Sequence, residues 1–236
     1  MRIPSLIAAL VLLVFPALPA ERIHAQQAKL SGRLIMPVLS APAKRVFKRD
    51  YRMRRSGRKS VDQSSSDDIQ RSPFRDVVVS VHPRSFSAKT EPLPEPIAVD
   101  QLGVAFEPRV LPIPVGSAVE FINRDPIYHN VFSLTPGAKF DIGRKPTGVV
   151  YRLPDPIAAV CEIHLFCDIH PQMNATILSL DTPYYTQPDA AGQYEFAQLP
   201  PGIYEFRIYH PDLAAVSATI ELEAGQEVVR DITMGN

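Results

Sequence analysis

Short runs of alternating hydrophobic and polar residues recur along this chain, which is the pattern of half-buried β-strands. From Val216 to Glu223, apolar residues alternate strictly with serine, threonine and glutamate. The runs Asp76–His82 and Tyr204–Tyr209 also have strand character, and no long stretch repeats with the 3.6-residue period of a helix. Turn residues separate these runs, and the chain has 24 prolines. The pattern predicts an all-β protein of short strands joined by turns.

The first residues have a different pattern. Arg2 precedes an apolar run from Leu6 to Phe15, and two prolines and small residues follow it. This pattern is typical of a secretory signal peptide over residues 1–20, with cleavage after Ala20 or Ala25. A membrane-spanning helix needs about 20 apolar residues, and this run is shorter. We therefore expect a periplasmic or secreted protein with no membrane span in the mature chain.

Charge is balanced over the whole chain but not locally. Lysines and arginines number 25 and acidic residues also 25, so no overall field favours a nucleic-acid partner. Residues 44–59, however, contain nine basic residues and one acidic residue. Such a segment buries too little apolar surface to offset its ordering entropy, so residues 40–73 are predicted to be a mobile loop. It is either a solvated linker or a docking arm for an acidic partner.

The residues with the most distinctive chemistry lie between Cys161 and Met173. Cys167, His170 and Met173 have the spacing C-x2-H-x2-M, and another histidine, His129, lies about forty residues earlier. A thiolate, an imidazole and a thioether this close together are good ligands for a soft metal. Two histidines and one cysteine with a weak axial methionine form the ligand set of blue-copper electron-transfer sites.

The residues around these ligands resemble one family of copper proteins. Residues 106–132 contain an I-P-V-G turn between two apolar runs, followed by Y-H-N-V-F. With the short C-x2-H-x2-M loop, residues 95–182 resemble a cupredoxin of the plastocyanin and amicyanin type. The resemblance implies a Greek-key β-sandwich and one type 1 copper ion held by His129, Cys167, His170 and Met173.

The same resemblance implies a function and two further roles. The protein would not be an enzyme but would carry single electrons between redox protein partners. Asn130 would join the two ligand loops by a hydrogen bond, and His170 would be the port for electrons. A copper-storage or interaction module without redox function is the alternative of a different class.

A zinc site is a further alternative for the same segment. Cys161, His164, Cys167 and His170 could in principle form a tetrahedral Cys2His2 site. The run between the two cysteines is predicted to be a strand, however, and six residues of strand span about 20 Å. That separation argues against the zinc site and against a disulfide. A zinc site of these four residues would also leave His129 without a role.

The C-terminal part of the chain resembles a second family. Asp189 to Tyr194 reads D-x-x-G-x-Y, and Leu199 to Tyr204 reads L-P-P-G-x-Y. These turns are similar to carboxypeptidase regulatory-like modules, which are small transthyretin-like or Ig-like β-sandwiches. In such modules, strands directly precede the D-x-x-G turn. In this chain the nearest matching segments lie far upstream, before residue 83. We therefore expect a discontinuous module of residues 28–83 and 183–236, with the cupredoxin-like domain of residues 95–182 inserted. In that arrangement the strand at Val77–Val81 pairs with strands from residues 194–222.

Overall fold

The computed structural model describes residues 27–37 and 72–235. The signal-peptide prediction for residues 1–20 and the basic-loop prediction for residues 44–59 lie outside the described residues. Within the described ranges every regular element is a β-strand, and the prediction of an all-β fold is confirmed. The described part of the chain has no helix that is long and apolar enough to cross a membrane.

The strands are short, as the turn residues require. In chain order they are β1 (Ala28–Ile35), β2 (Val78–Pro83), β3 (Ile97–Gln101), β4 (Phe106–Glu107), β5 (Val110–Pro114), β6 (Val119–Asn123), β7 (Phe132–Ser133), β8 (Phe140–Asp141), β9 (Val150–Arg152), β10 (Glu162–Phe166), β11 (Asn174–Leu180), β12 (Tyr185–Thr186), β13 (Gln193–Leu199), β14 (Gly202–Tyr209), β15 (Val216–Leu222), β16 (Glu227–Val229) and β17 (Ile232–Thr233). The two residues of β8 pair antiparallel with β7.

These strands form four sheets. Sheet A has the order β13-β1-β16, with β17 also pairing β1, and sheet B has the order β12-β2-β14-β15. Sheet C has the order β5-β11-β10-β7-β8, and sheet D has the order β4-β3-β6-β9. Side chains of sheets A and B enclose one apolar core, and side chains of sheets C and D enclose another.

Strand β2 connects the two halves of the molecule. It pairs antiparallel with β14, so the expected pairing of this strand with residues 194–222 is observed. Val79 and Val81 point into the core between sheets A and B. Val78, on the opposite face, packs in a smaller cluster with Val110 and Leu178 of sheet C. The two faces of β2 are therefore both buried, and Ser80 and His82, which share the face of Val78, are buried polar residues 3.0 Å from each other.

The turn motifs of the C-terminal part have clear physical roles. The Asp189 carboxylate accepts hydrogen bonds from the amides of Ala191 and Gln193, at 2.9 and 2.8 Å. Gly192 has a φ of +80°, a conformation that favours glycine. In the second motif, the buried Tyr204 hydroxyl donates to the carbonyl of Pro200 at 2.6 Å. The two motifs thus close the turns on either side of β13.

Polar contacts cross between sheets B and C. Arg109 forms two hydrogen bonds to Asp212, at 2.7 and 2.9 Å, and contacts Asp76 at 3.3 Å. His82 of β2 is 5% exposed. Its Nδ1 lies 2.7 Å from Asp181, which directly follows β11. Burial lowers the pKa of His82 below its ordinary value of 6.5, and this outweighs the hydrogen bond to Asp181, which alone would raise it.

The buried His82 predicts acid sensitivity. Because its pKa is lower in the folded protein, the unfolded chain binds more protons once the pH falls below about 6.5. The free energy of unfolding should therefore decrease from about pH 7.5 to about pH 5.5. Denaturant titrations at the two pH values measure this, and His82→Gln should reduce the difference. His164→Gln is the control, because that side chain is 52% exposed. An equal pH dependence in His82→Gln and in the unaltered protein would contradict the assignment.

Candidate metal centre

The core between sheets C and D brings the predicted ligands to one end of the sandwich. Ile163 and Leu165 of β10 are buried and alternate with exposed residues, and the same alternation turns Cys167 inward just after the strand. His129 lies between β6 and β7, and His170 lies in the loop between β10 and β11. The loop lengths and the strand period therefore place a thiol and two imidazoles together.

Three ligand atoms converge at this end. The Nδ1 atoms of His129 and His170 are 3.0 Å apart. The Cys167 Sγ lies 4.0 Å from the His129 Nδ1 and 3.8 Å from the His170 Nδ1. Within residues 27–37 and 72–235, these are the one group of three or more histidine, cysteine or acidic residues close enough to share a metal ion. All three donor atoms suit a soft or borderline transition metal.

The three side chains differ in their exposure. His129 is fully buried and Cys167 is 4% exposed, whereas His170 is partly exposed. Burial, followed by the proximity of His129, lowers the pKa of His170 below its ordinary value of 6.5. A histidine with a lowered pKa is neutral at neutral pH, which is the form that binds metal.

Met173 lies on the same loop. Its side chain is 1% exposed and packs in the core between sheets C and D. Its backbone amide donates to the carbonyl of His170 at 2.9 Å, which closes the ligand loop into a tight turn. The assignment of Met173 as the axial ligand stays a prediction.

Asn130 connects the two ligand loops, as the resemblance implied. Its side-chain oxygen accepts a hydrogen bond from the amide of Asp168 at 2.7 Å, so this prediction is confirmed. Its carbonyl accepts a hydrogen bond from Gln101 at 3.2 Å. The backbone of His129 is also held, because it exchanges two hydrogen bonds with Lys145. Both ligand-bearing segments are therefore fixed by contacts that do not involve the ligand atoms.

Asp125 is a residue of the site that the sequence analysis did not identify. Its carboxylate lies 2.9 Å from the Nε2 of His129. Burial alone would raise the pKa of this carboxyl, but hydrogen bonds from the amides of Val104 and Gly103 and from His129 outweigh it, and the pKa is lowered. The spacing D-x3-H, on a loop rather than a helix, carries no signal that would have revealed the contact.

The alternative zinc ligands do not converge. Cys161 and Cys167 stand at opposite ends of β10, and both are free thiols. His164 is exposed on the outer face of that strand, where its Nδ1 lies 3.4 Å from the Thr176 hydroxyl. The Cys2His2 arrangement is therefore wrong, because the strand period places His164 on the face opposite to Ile163 and Leu165.

Comparison with known proteins gives a partial likeness. No protein-family model and no curated protein matches this sequence. Solved structures that resemble part of it include copper proteins. A copper-containing nitrite reductase from Thermus scotoductus SA-01 is 29% identical over 42% of this chain, with a TM-score of 0.34. The match spans only 25% of the reductase.

Two smaller proteins are matched over nearly their whole length. A mutant of amicyanin in its reduced Cu(I) form is 23% identical, with a TM-score of 0.34, over 43% of this chain and 99% of amicyanin. A purple cupredoxin from Nitrosopumilus maritimus is 20% identical, with a TM-score of 0.31, over 36% of this chain and 99% of the cupredoxin. Structural neighbours of this chain are therefore cupredoxins, but the likeness is partial.

Proposed function

We propose that this protein binds one copper ion through His129, Cys167 and His170, with Met173 as the axial ligand, and carries single electrons. The observation that carries the proposal is the convergence of two imidazole Nδ1 atoms and a buried thiol, all within 4.8 Å of one another. Copper bound by such a set supplies reversible one-electron chemistry. Other first-row metals share some of these ligands, but a His2Cys set followed by a methionine is characteristic of blue copper.

The surroundings of the ligands support electron transfer rather than copper storage. A storage site must release its metal, whereas an electron carrier must keep it in both oxidation states. The loops that hold His129 and Cys167 are joined through Asn130, and the ligand loop is closed by the turn from His170 to Met173. Ligands that are already in place need little rearrangement when the charge of the metal changes. Such a site favours electron transfer.

The remaining assignments belong to the same proposal. The copper domain comprises residues 95–182, and residues 28–83 and 183–236 form a carboxypeptidase regulatory-like module around it. The separate cores on the two sides of the interface between sheets B and C support this division. The protein is exported to the periplasm or beyond, has no enzymatic activity of its own, and exchanges electrons with redox protein partners.

Addition of Cu(II) to the purified protein tests the proposal. One equivalent of Cu(II) should produce an intense visible band from thiolate-to-copper charge transfer. The loaded protein should then give a reversible one-electron wave in voltammetry and retain copper against a moderate chelator in both oxidation states. A coloured protein that loses copper on reduction would favour the storage alternative. A protein that binds Zn(II) but forms no coloured Cu(II) complex would overturn the copper assignment.

A further inference from the structure

The carboxylate of Asp125 is buried and has three polar neighbours. Its side chain is 8% exposed. One oxygen accepts the amide of Gly103 at 2.7 Å, and the other accepts the amide of Val104 at 2.8 Å and faces the Nε2 of His129 at 2.9 Å. Two backbone N–H groups and one imidazole nitrogen thus face one buried carboxylate. A set of donors of this kind stabilises the ionised form.

The loop that supplies the two amides is strained. Gly103 and Val104 both have left-handed backbone conformations, with φ of +65° and +61°. For a β-branched residue such as Val104 this conformation is a genuine outlier. Backbone strain of this kind persists only where the surrounding structure over-determines it. Here the strained backbone directs two consecutive amides at Asp125, so the loop is shaped to hold that carboxylate in place.

The carboxylate determines the protonation of His129. An ionised carboxylate has only hydrogen-bond acceptors, so the Nε2 of His129 must carry the proton. In the neutral imidazole, the Nδ1 of His129 then has a free lone pair, and this atom faces Cys167 and the Nδ1 of His170. The tautomer that Asp125 selects is therefore the one that can bind a metal between these three residues.

The two histidines differ in this respect. Within the described part of the chain, the Nε2 of His170 has no hydrogen-bond partner, whereas the Nε2 of His129 faces a buried anion. Only one imidazole of the pair is thus bound to a negative charge. An anion hydrogen-bonded to a ligating imidazole increases the donor strength of that ligand. It should stabilise Cu(II), which has the higher charge, more than Cu(I).

We infer that Asp125 is a positioning residue that fixes His129 as the Nε2–H tautomer and lowers the reduction potential of the metal centre. This inference rests on the proposed function, because it concerns a potential that only a bound metal has. It adds to that function a determinant of the potential that lies outside the four ligands, on the loop after β6. The left-handed backbone at Gly103 and Val104, which directs two amides at Asp125, is part of the same arrangement.

Asp125→Asn tests the inference, with Asp168→Asn as the matched control. The control removes the same charge beside Cys167, but its carboxylate is 43% exposed and pairs with Arg144 rather than with a ligand. In Asp125→Asn, Cu(II) affinity should fall about 10–100-fold. Cu(I) affinity should fall less, and each tenfold difference raises the potential by about 59 mV. The control should show a much smaller rise.

A second measurement needs no variant. Nitrogen NMR shifts of the His129 ring in the unaltered, metal-free protein should report a protonated Nε2 and an unprotonated Nδ1. A protonated Nδ1, or a potential in Asp125→Asn equal to that of the control, would overturn the inference and leave the copper assignment standing. Absence of a coloured Cu(II) complex in the unaltered protein would instead overturn the proposed function itself. If Asp125→Asn does not fold, the ring shifts alone decide.

Discussion

Cys167→Ser is expected to abolish the visible band of the Cu(II)-loaded protein. The band arises from charge transfer between the thiolate and the metal, and a serine hydroxyl cannot supply it. The substitution is nearly isosteric at a residue that is 4% exposed, so the fold should be kept. Absorption and electron paramagnetic resonance spectra of the loaded variant measure the effect. The variant should also show no reversible wave at the potential of the unaltered protein.

Cys161→Ser is the matched control for this experiment. Cys161 is the other cysteine of the chain and is also free, but it lies at the far end of β10. Its replacement should leave the spectrum unchanged. Equal loss of colour in both variants would indicate a metal site that needs both thiols. Retention of the full band in Cys167→Ser would exclude this residue as a ligand.

Gly32→Ala is expected to reduce the free energy of unfolding by about 3 kcal/mol, because overpacking a well-packed site has costs of this order. A Cβ atom at position 32 would lie 1.9 Å from the carbonyl oxygen of Arg230 and 2.9 Å from the hydroxyl of Tyr194. That carbonyl accepts a hydrogen bond from Tyr194 at 2.6 Å. The backbone of Arg230 is itself bonded to Ser31 of β1, so it cannot move away without breaking sheet A. Denaturant titration measures the loss.

Gly235→Ala provides the control, because nothing lies within 4 Å of a Cβ added there. Its effect should stay within about 0.5 kcal/mol, as for most exposed substitutions. Copper binding in native buffer should survive in the folded fraction of Gly32→Ala, because Gly32 belongs to sheet A and the ligands lie between sheets C and D. A fully stable Gly32→Ala protein would show that Arg230 and β16 are not held against β1 as described.

Local pattern was enough to predict much of this molecule. Alternation along Val216–Leu222 and Tyr204–Tyr209 reports which side chains face a core, and in a strand this depends only on the two-residue period. The same period turns Cys167 inward and His164 outward. The grouping of Cys167 with His170 followed from their spacing on one short loop. The hydrogen bond through Asn130 that joins the two ligand loops was implied by the resemblance of Y-H-N-V-F to the cupredoxin pattern.

Contacts between segments far apart in sequence were decided only by the tertiary structure. In the sequence, Asp125 is indistinguishable from any acidic residue in a loop. Its contacts depend on the amides of residues 103–104, which the packing of sheet D brings next to it. His82 has no ligand-type neighbour along the chain, yet the stacking of sheets B and C buries it against Asp181. The amino-acid sequence by itself determined most of the strands and turns and the grouping of Cys167 with His170, because these depend on local periodicity and spacing. The place of His129 beside them, 38 and 41 residues away, was implied by the resemblance to cupredoxins and not by local spacing. Which groups surround and tune those ligands depended on how four sheets stack, because a hydrogen bond across 22 or 99 residues leaves no local pattern in the chain.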